Sequence, residues 1–223
     1  MYNVFIGWDL HEIDAWHVLA HSIYRHASAP VSITPIIKSQ VPLRRATDLR
    51  QSTEFSFSRF LVPWMAGYQG PSLFMDCDMM VTDDIVKLFK QFDNKYSLQV
   101  VKHDYECSTT TKFLDQVQSP YKRKNWSSVM LFNSPKCAHL TPIVVNTSSG
   151  MYLHQFGWLD DSEIGELTPE WGHLVGEYEV PEKVPANIHW TLGGPWFIDY
   201  SDTEYADLWF EEKDLMNATN ERY

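Results

Sequence analysis

Apolar positions in this chain fall into short runs separated by stretches with helical spacing. Tyr2 to Gly7 is a run of strand length that ends in Gly7-Trp8-Asp9, and a strand that stops at Gly and an acid commonly delivers a ligand-binding loop. Glu12 to His26 then places Ile13, Trp16, Ala20, Ile23 and Tyr24 on one face of an amphipathic helix. Val31 to Ile37 predicts a second strand, which Pro35 makes an edge strand or a kinked one. Strand, helix, strand is the opening of a βαβ unit and of a parallel sheet.

The pattern continues less regularly. Pro42 to Gln51, with Arg44, Arg45 and Arg50, predicts a polar loop, and Phe57 to Tyr68 returns to helical spacing across Pro63. After the Gly70-Pro71 turn, Ser72 to Met75 predicts a short strand running into Asp76-Cys77-Asp78. Asp83 to Phe92 predicts a helix with acids at its positive end. Ser97 to Val101 and Ser127 to Phe132 predict strands, the latter closed by Asn133. Between them His103 to Lys124 has weak periodicity and a basic run, Lys122-Arg123-Lys124. Pro142 to Phe156 predicts a helix despite Gly150. Asn187 to Trp190 predicts a short strand ahead of Gly193-Gly194-Pro195-Trp196, and Ala206 to Met216 a terminal amphipathic helix. With no repeat, low-complexity tract or linker, the expectation is one α/β domain over residues 1–223, regular in 1–133 and less regular in 134–223.

Composition narrows the function. A chain that is 44% hydrophobic and 21% charged is not disordered. Twenty-nine acids against 18 Lys and Arg leave a net charge of -11, which excludes general nucleic-acid binding but not a local anion site. Nine Trp residues offer surfaces for packing or for stacking sugars and bases. No apolar run reaches the roughly 20 residues of a membrane helix, and the start has no signal-peptide pattern. Cys77, Cys107 and Cys137 have no CxxC spacing. They argue against a disulfide framework or cysteine zinc site and point to a reducing, cytoplasmic setting.

Asp76-x-Asp78 is the sharpest chemical signal. Two carboxylates off the end of an apolar strand sit where open α/β sheets bind ligands. They repel each other unless a cation lies between them, and Mg²⁺ or Mn²⁺ would suit them. A solvated turn is the plainer alternative. Replacing either Asp by Asn is expected to relieve repulsion and leave the fold intact. His189 is a packing histidine beside Trp190 or a metal ligand, with Gly193 and Gly194 allowing close backbone approach. Arg59, on an apolar helix face, either snorkels or forks onto a carboxylate or sugar hydroxyl. Asp160 and Asp161 are explained by a helix N-terminus alone. Trp8 beside Asp9 is suited to stacking on and hydrogen-bonding a base.

Taken in order, four segments resemble the retaining GT-A glycosyltransferases of the glycogenin and bacterial lipopolysaccharide galactosyltransferase kind, glycosyltransferase family 8. They are Val4 to Asp9, Phe57 to Pro63, Leu73 to Asp78 and Asn125 to Asn133. The resemblance implies a single GT-A-like, Rossmann-like domain with a mostly parallel sheet. It implies a hexosyltransferase that moves a sugar, with retention, from a nucleotide-sugar, a UDP-sugar above all, to an acceptor that is a saccharide, a lipid-linked glycan or a protein. It further implies Mn²⁺ or Mg²⁺ on Asp76, Asp78 and His189. Donor contacts would come from Gly7, Trp8, Asp9, Arg59, Asp76, Cys77, Asn133, Gly193 and Gly194, and reaction-side roles would fall to Arg59 and Asp161. Two departures stand out. Asp161-Ser162-Glu163-Ile164 replaces the family's Asp-Gln-Asp-Ile, and the His189 to Trp196 motif is one residue short, with Gly194 where the family has a diphosphate-holding Lys. A backbone N–H of the glycine turn is one substitute for that Lys. A haloacid-dehalogenase-like phosphatase and a nucleotide-sugar binding module without turnover are the competing readings. Met79-Met80 after the second Asp, and the late position of the motif in the chain, speak against the phosphatase.

Overall fold

The computed structural model describes residues 1–45, 53–104 and 122–218; Arg50 and Cys107 lie outside them. The strands are β1 (Tyr2–Gly7), β2 (Val31–Ile36), β3 (Pro71–Met75), β4 (Met79–Val81), β5 (Leu98–Val100), β6 (Val129–Asn133), β7 (Ile164–Glu166), β8 (His173–Leu174) and β9 (Asn187–His189). The α-helices are α1 (Ile13–His26), α2 (Val62–Met65), α3 (Ile85–Phe89), α4 (Pro142–Thr147), α5 (Gly150–His154) and α6 (Ala206–Asn217).

A six-stranded sheet runs in the order β2-β1-β3-β6-β5-β7, with β2 at one edge as Pro35 predicts. The β1–β2, β1–β3 and β5–β7 pairs are parallel, while β6 runs antiparallel to both neighbours. The fold is thus α/β with a mostly parallel sheet. Val4, Ile6, Leu73, Phe74, Leu131 and Phe132 are buried in its core, each such side chain contributing about 1.5–3 kcal/mol. A second sheet, β4-β9-β8, packs against α1 and α6 through Val18, Met80, Ile188, Trp190 and Trp209. Glu212 of α6, itself buried, ties the two helices by accepting hydrogen bonds from Arg25 and bonding His21 at 2.6 Å.

Two predicted helices divide. Over 57–68 the chain forms a 3₁₀ turn, Ser58–Leu61, and then α2, with Pro63 in its first turn where the missing N–H is no loss. Over 142–156 it breaks at Ser148, and Ser149 caps α5 by accepting from Tyr152 N–H. Short strands β4, β7 and β8 are absent from the sequence reading, because two or three residues carry no period. No helix among the described residues is long and apolar enough to cross a membrane.

Candidate active site

The strand ends build the site. Asp76 leaves the carboxyl end of β3, its N–H donating to Ser128 O at 3.0 Å. The chain turns at Cys77 and enters β4, which pairs with β9 so that Met79 lies opposite His189. Trp190 N–H then donates to Asp78 O at 3.0 Å, which fixes Asp78 beside His189. One ligand atom each of Asp76, Asp78 and His189 lies within 4.8 Å of the others. His189 Nε2 is 3.2 Å from Asp78 Oδ1, yet neither ring nitrogen of this 1%-exposed histidine makes a hydrogen bond among the described residues. Two carboxylates and an imidazole, Asp78 and His189 buried and Asp76 partly so, converging without hydrogen bonding one another, suit a divalent ion with open positions for phosphate oxygens.

Arg59 is not snorkelling. It is 6% exposed, flanked by the Phe55 and Phe74 rings, with Nη1 2.8 Å from Asp76 Oδ1 and donating to Ser127 O at 2.9 Å. This corrects the equivalence expected of the two aspartates. Asp78 stands among acids, whereas Asp76 neutralises a buried guanidinium.

Behind the pair lies Glu12, to which the sequence assigns no role beyond opening the first predicted helix. It is 1% exposed and accepts from the Cys77 thiol, Sγ to Oε2 3.6 Å. Burial, then the charges of Asp78 and Asp9, hold its carboxyl well above the usual range. Burial likewise raises the Cys77 thiol. His103, on the loop after β5, is held down to about 3 by burial and by His189 nearby, and its Nδ1 is 2.9 Å from Tyr178 Oη.

The remaining candidates separate. Asp9 is buried and accepts from the N–H groups of His11 and Glu54, both at 2.9 Å, pinning the loop after β1; Trp8 packs on Trp16 and His17. Gly7 is needed because a Cβ there would collide with Phe55. The Cys77 side chain faces Glu12 in the interior, so only its backbone is available to a donor. Asn133 is a correction. Because β6 is antiparallel to β3, Asn133 lies opposite Pro71 at the far end of the sheet, where its amide donates to Asn94 and Tyr96. The turn ahead of β6, Asn125 to Ser128, is what meets Asp76, whose N–H donates to Ser128 O. Asp161 is outside the Asp-Asp-His group, its side chain 82% exposed and paired with Arg123. Asp160 caps the short turn that Asp161 opens, as the helix-terminus alternative held. In the glycine turn, the Gly193 N–H is already donated to Trp190 O at 3.0 Å.

No protein-family model matches the chain. Protein CDI of Arabidopsis thaliana is 44% identical over 231 residues, spanning 99% of this chain and 89% of the relative. Among solved structures, the bifunctional glycosyltransferase WbbM superposes with a TM-score of 0.65 at 15% identity, over 95% of this chain and 49% of WbbM. The galactosyltransferase LgtC, solved with donor and acceptor sugar analogues, superposes with a TM-score of 0.62 at 12% identity, over 98% of both chains. The chain therefore spans about half the length of WbbM and nearly all of LgtC. At these identities the likeness establishes the fold, that of the GT-A glycosyltransferases.

Proposed function

We propose that this chain, which belongs to the same family as Arabidopsis Protein CDI and has the GT-A fold, is a metal-dependent glycosyltransferase that moves a sugar from a nucleotide-sugar to an acceptor hydroxyl. The observation that carries the proposal is the convergence of Asp76, Asp78 and His189 within 4.8 Å at the carboxyl end of β3. A Mn²⁺ or Mg²⁺ ion held by those three side chains would supply electrostatic stabilisation to a departing nucleoside diphosphate. Arg59 holds Asp76 in place from behind. Trp8 and Asp9, at the end of β1, form the base side of the donor site, with a UDP-sugar as the favoured donor. In this reading residues 1–133 supply the donor site and two of the metal ligands, and residues 134–223 supply His189 and face the acceptor, a saccharide, lipid-linked glycan or protein, within one domain. Asp161, linked through Arg123 to the turn ahead of β6, is the acid assigned to the sugar side, and transfer proceeds with retention. Buried free thiols at Cys77 and Cys137 favour a cytoplasmic setting.

The GT-A architecture leaves the dehalogenase-like alternative without support. The test is calorimetric titration of UDP, GDP, ADP and CDP with and without Mn²⁺, together with chromatography for hydrolysis of the matching nucleotide-sugars. Mn²⁺-dependent diphosphate binding with slow hydrolysis is expected, and both should be lost in Asp78→Asn. Binding without any hydrolysis or transfer would make the chain a nucleotide-sugar binding module. No diphosphate binding with either Mn²⁺ or Mg²⁺ would refute the proposal.

A further inference from the structure

The glycine turn has no room for the charge that the family motif carries there. A Cβ on Gly194 would collide with the Trp196 ring, and one on Gly193, at φ +136°, would stand 2.9 Å from Tyr200. A cation is nonetheless called for. Even leaving Glu12 aside, Asp9, Asp76 and Asp78 set three negative charges against the one positive charge of Arg59. A divalent ion brings that sum to zero and leaves a nucleotide-sugar's diphosphate unmatched.

Lys102 approaches Trp126, in the turn ahead of β6 whose Ser128 O accepts from Asp76 N–H. β3 pairs with β6 through Met75 opposite Val129, and β5 pairs with β6 through Val100 opposite Met130. Asp76 extends the first ladder by donating to Ser128 O. The β5–β6 ladder ends at Val100, and the chain turns at Lys102, where His103 N–H donates to Val101 O at 3.2 Å. The Lys102 ammonium lies 5.8 Å from the centre of the Trp126 ring. Trp126 is itself fixed by Nε1 donating to His103 O at 2.7 Å. Asn125 Nδ2 is 3.4 Å from Thr191 Oγ1, two residues past His189, so the same turn spans from Lys102 to the His189 side of the site. Neighbouring guanidiniums are committed: Arg59 to Asp76 and Ser127 O, Arg123 to Asp161 and Gln155 O. No carboxylate among the described residues is within ion-pairing distance of Lys102.

We infer that Lys102, held over Trp126, is the donor-binding cation of this site and binds the diphosphate of the nucleotide-sugar from the sheet side, in place of a lysine in the glycine turn. The inference rests on the glycosyltransferase reading above. It is tested by calorimetric titration of UDP, UMP, inorganic diphosphate and UDP-glucuronate into the full chain at saturating Mn²⁺, with Mn²⁺ alone titrated separately. Loss of one charge-assisted hydrogen bond predicts that Lys102→Ala weakens UDP and inorganic diphosphate by about 10- to 100-fold. UMP should change by less than about threefold, Mn²⁺ alone should not change, and Lys102→Arg should stay within about threefold of wild type for UDP. Lys102→Gln keeps most of the stem over Trp126 and is expected to show the same loss, which provides a second variant should Lys102→Ala fold poorly. Equal UDP affinity in wild type and variants overturns the inference and leaves the glycosyltransferase reading standing. A loss confined to UDP-glucuronate also overturns it, placing the ammonium on a sugar carboxylate. So does a fall in affinity for Mn²⁺ alone, which would mark a structural role. If wild type binds neither UDP nor inorganic diphosphate, both readings fall.

Discussion

Asp76 and Asp78 look alike in the chain, yet their amides should behave differently. In Asp76→Asn the guanidinium of Arg59, 6% exposed, loses its counter-charge. Removing one partner of a buried pair costs about 3–5 kcal/mol. The Asn carbonyl still accepts from Arg59, and Ser127 O still holds Nη1 at 2.9 Å, so about half of that, roughly 2 kcal/mol, should appear. For a chain of this size about 1 kcal/mol shifts the melting temperature by 2–4 °C, which predicts a fall of roughly 4–8 °C. In Asp78→Asn a carboxylate that raises the Glu12 carboxyl is removed. The melting temperature should hold or rise by about 1–3 °C, because like charge is relieved. Scanning calorimetry in EDTA at pH 7.5 separates the two variants. Both should lose the upward shift that Mn²⁺ with UDP gives the wild type. Variants that melt within about a degree of each other in EDTA, or Asp78→Asn melting below Asp76→Asn, would refute the unequal roles drawn from the Arg59 contact.

Three further outcomes are expected. Burial holds the Glu12 carboxyl above its unfolded value, so the folded chain keeps that proton to higher pH than the unfolded chain, which releases it above about pH 4.3, and stability falls as pH rises through the carboxylate range; Glu12→Gln should melt above wild type at pH 7.5 and level with it at pH 4, and no difference at pH 7.5 would count against a raised Glu12 carboxyl. His103 and His154 are each held down to about 3, chiefly by burial, so between there and the unfolded value near 6.5 the unfolded chain binds more protons and stability falls on acidification, by up to about 1.4 kcal/mol per pH unit for each group. His103→Gln should flatten the decline of the urea midpoint from pH 6.5 to 4.5, and parallel profiles would exclude its part in it. Glu212→Ala removes the buried acceptor shared by His21 and Arg25, which stay 29% and 43% exposed, and should cost about 1–2 kcal/mol by urea titration; a loss below about 0.5 kcal/mol would mean the contact is worth no more than a surface pair.

The frame of the molecule was legible where it depends on neighbours in the chain. The β1 and β3 runs and the helical spacing of α1 each carry their period within a few residues, although the face α1 buries is Ala15, Val18, Leu19, Ala20 and Ile23, while Ile13 and Tyr24 of the expected stripe are exposed. The Asp76-x-Asp78 pair was legible for the same reason, since a strand followed at once by two acids is a local pattern. His189 was legible as a candidate, but its place beside Asp78 depends on β4, three residues without a period that form a strand only by pairing with β9.

What only the tertiary structure decided is which charges meet. The reversed direction of β6 moves Asn133 to the far end of the sheet and brings Asn125 and Trp126 to the metal side. Packing of α1 against β4 takes Glu12, an ordinary helix-start acid in the sequence, out of water beneath the aspartates. The 3₁₀ turn after Phe57 aims Arg59 inward at Asp76, and the crowding of Trp196 and Tyr200 closes the glycine turn to any side chain. Secondary structure follows from a period that spans a handful of residues. Electrostatics follows from distances of a few ångströms between groups that are far apart in the chain, and strand direction and register set those distances.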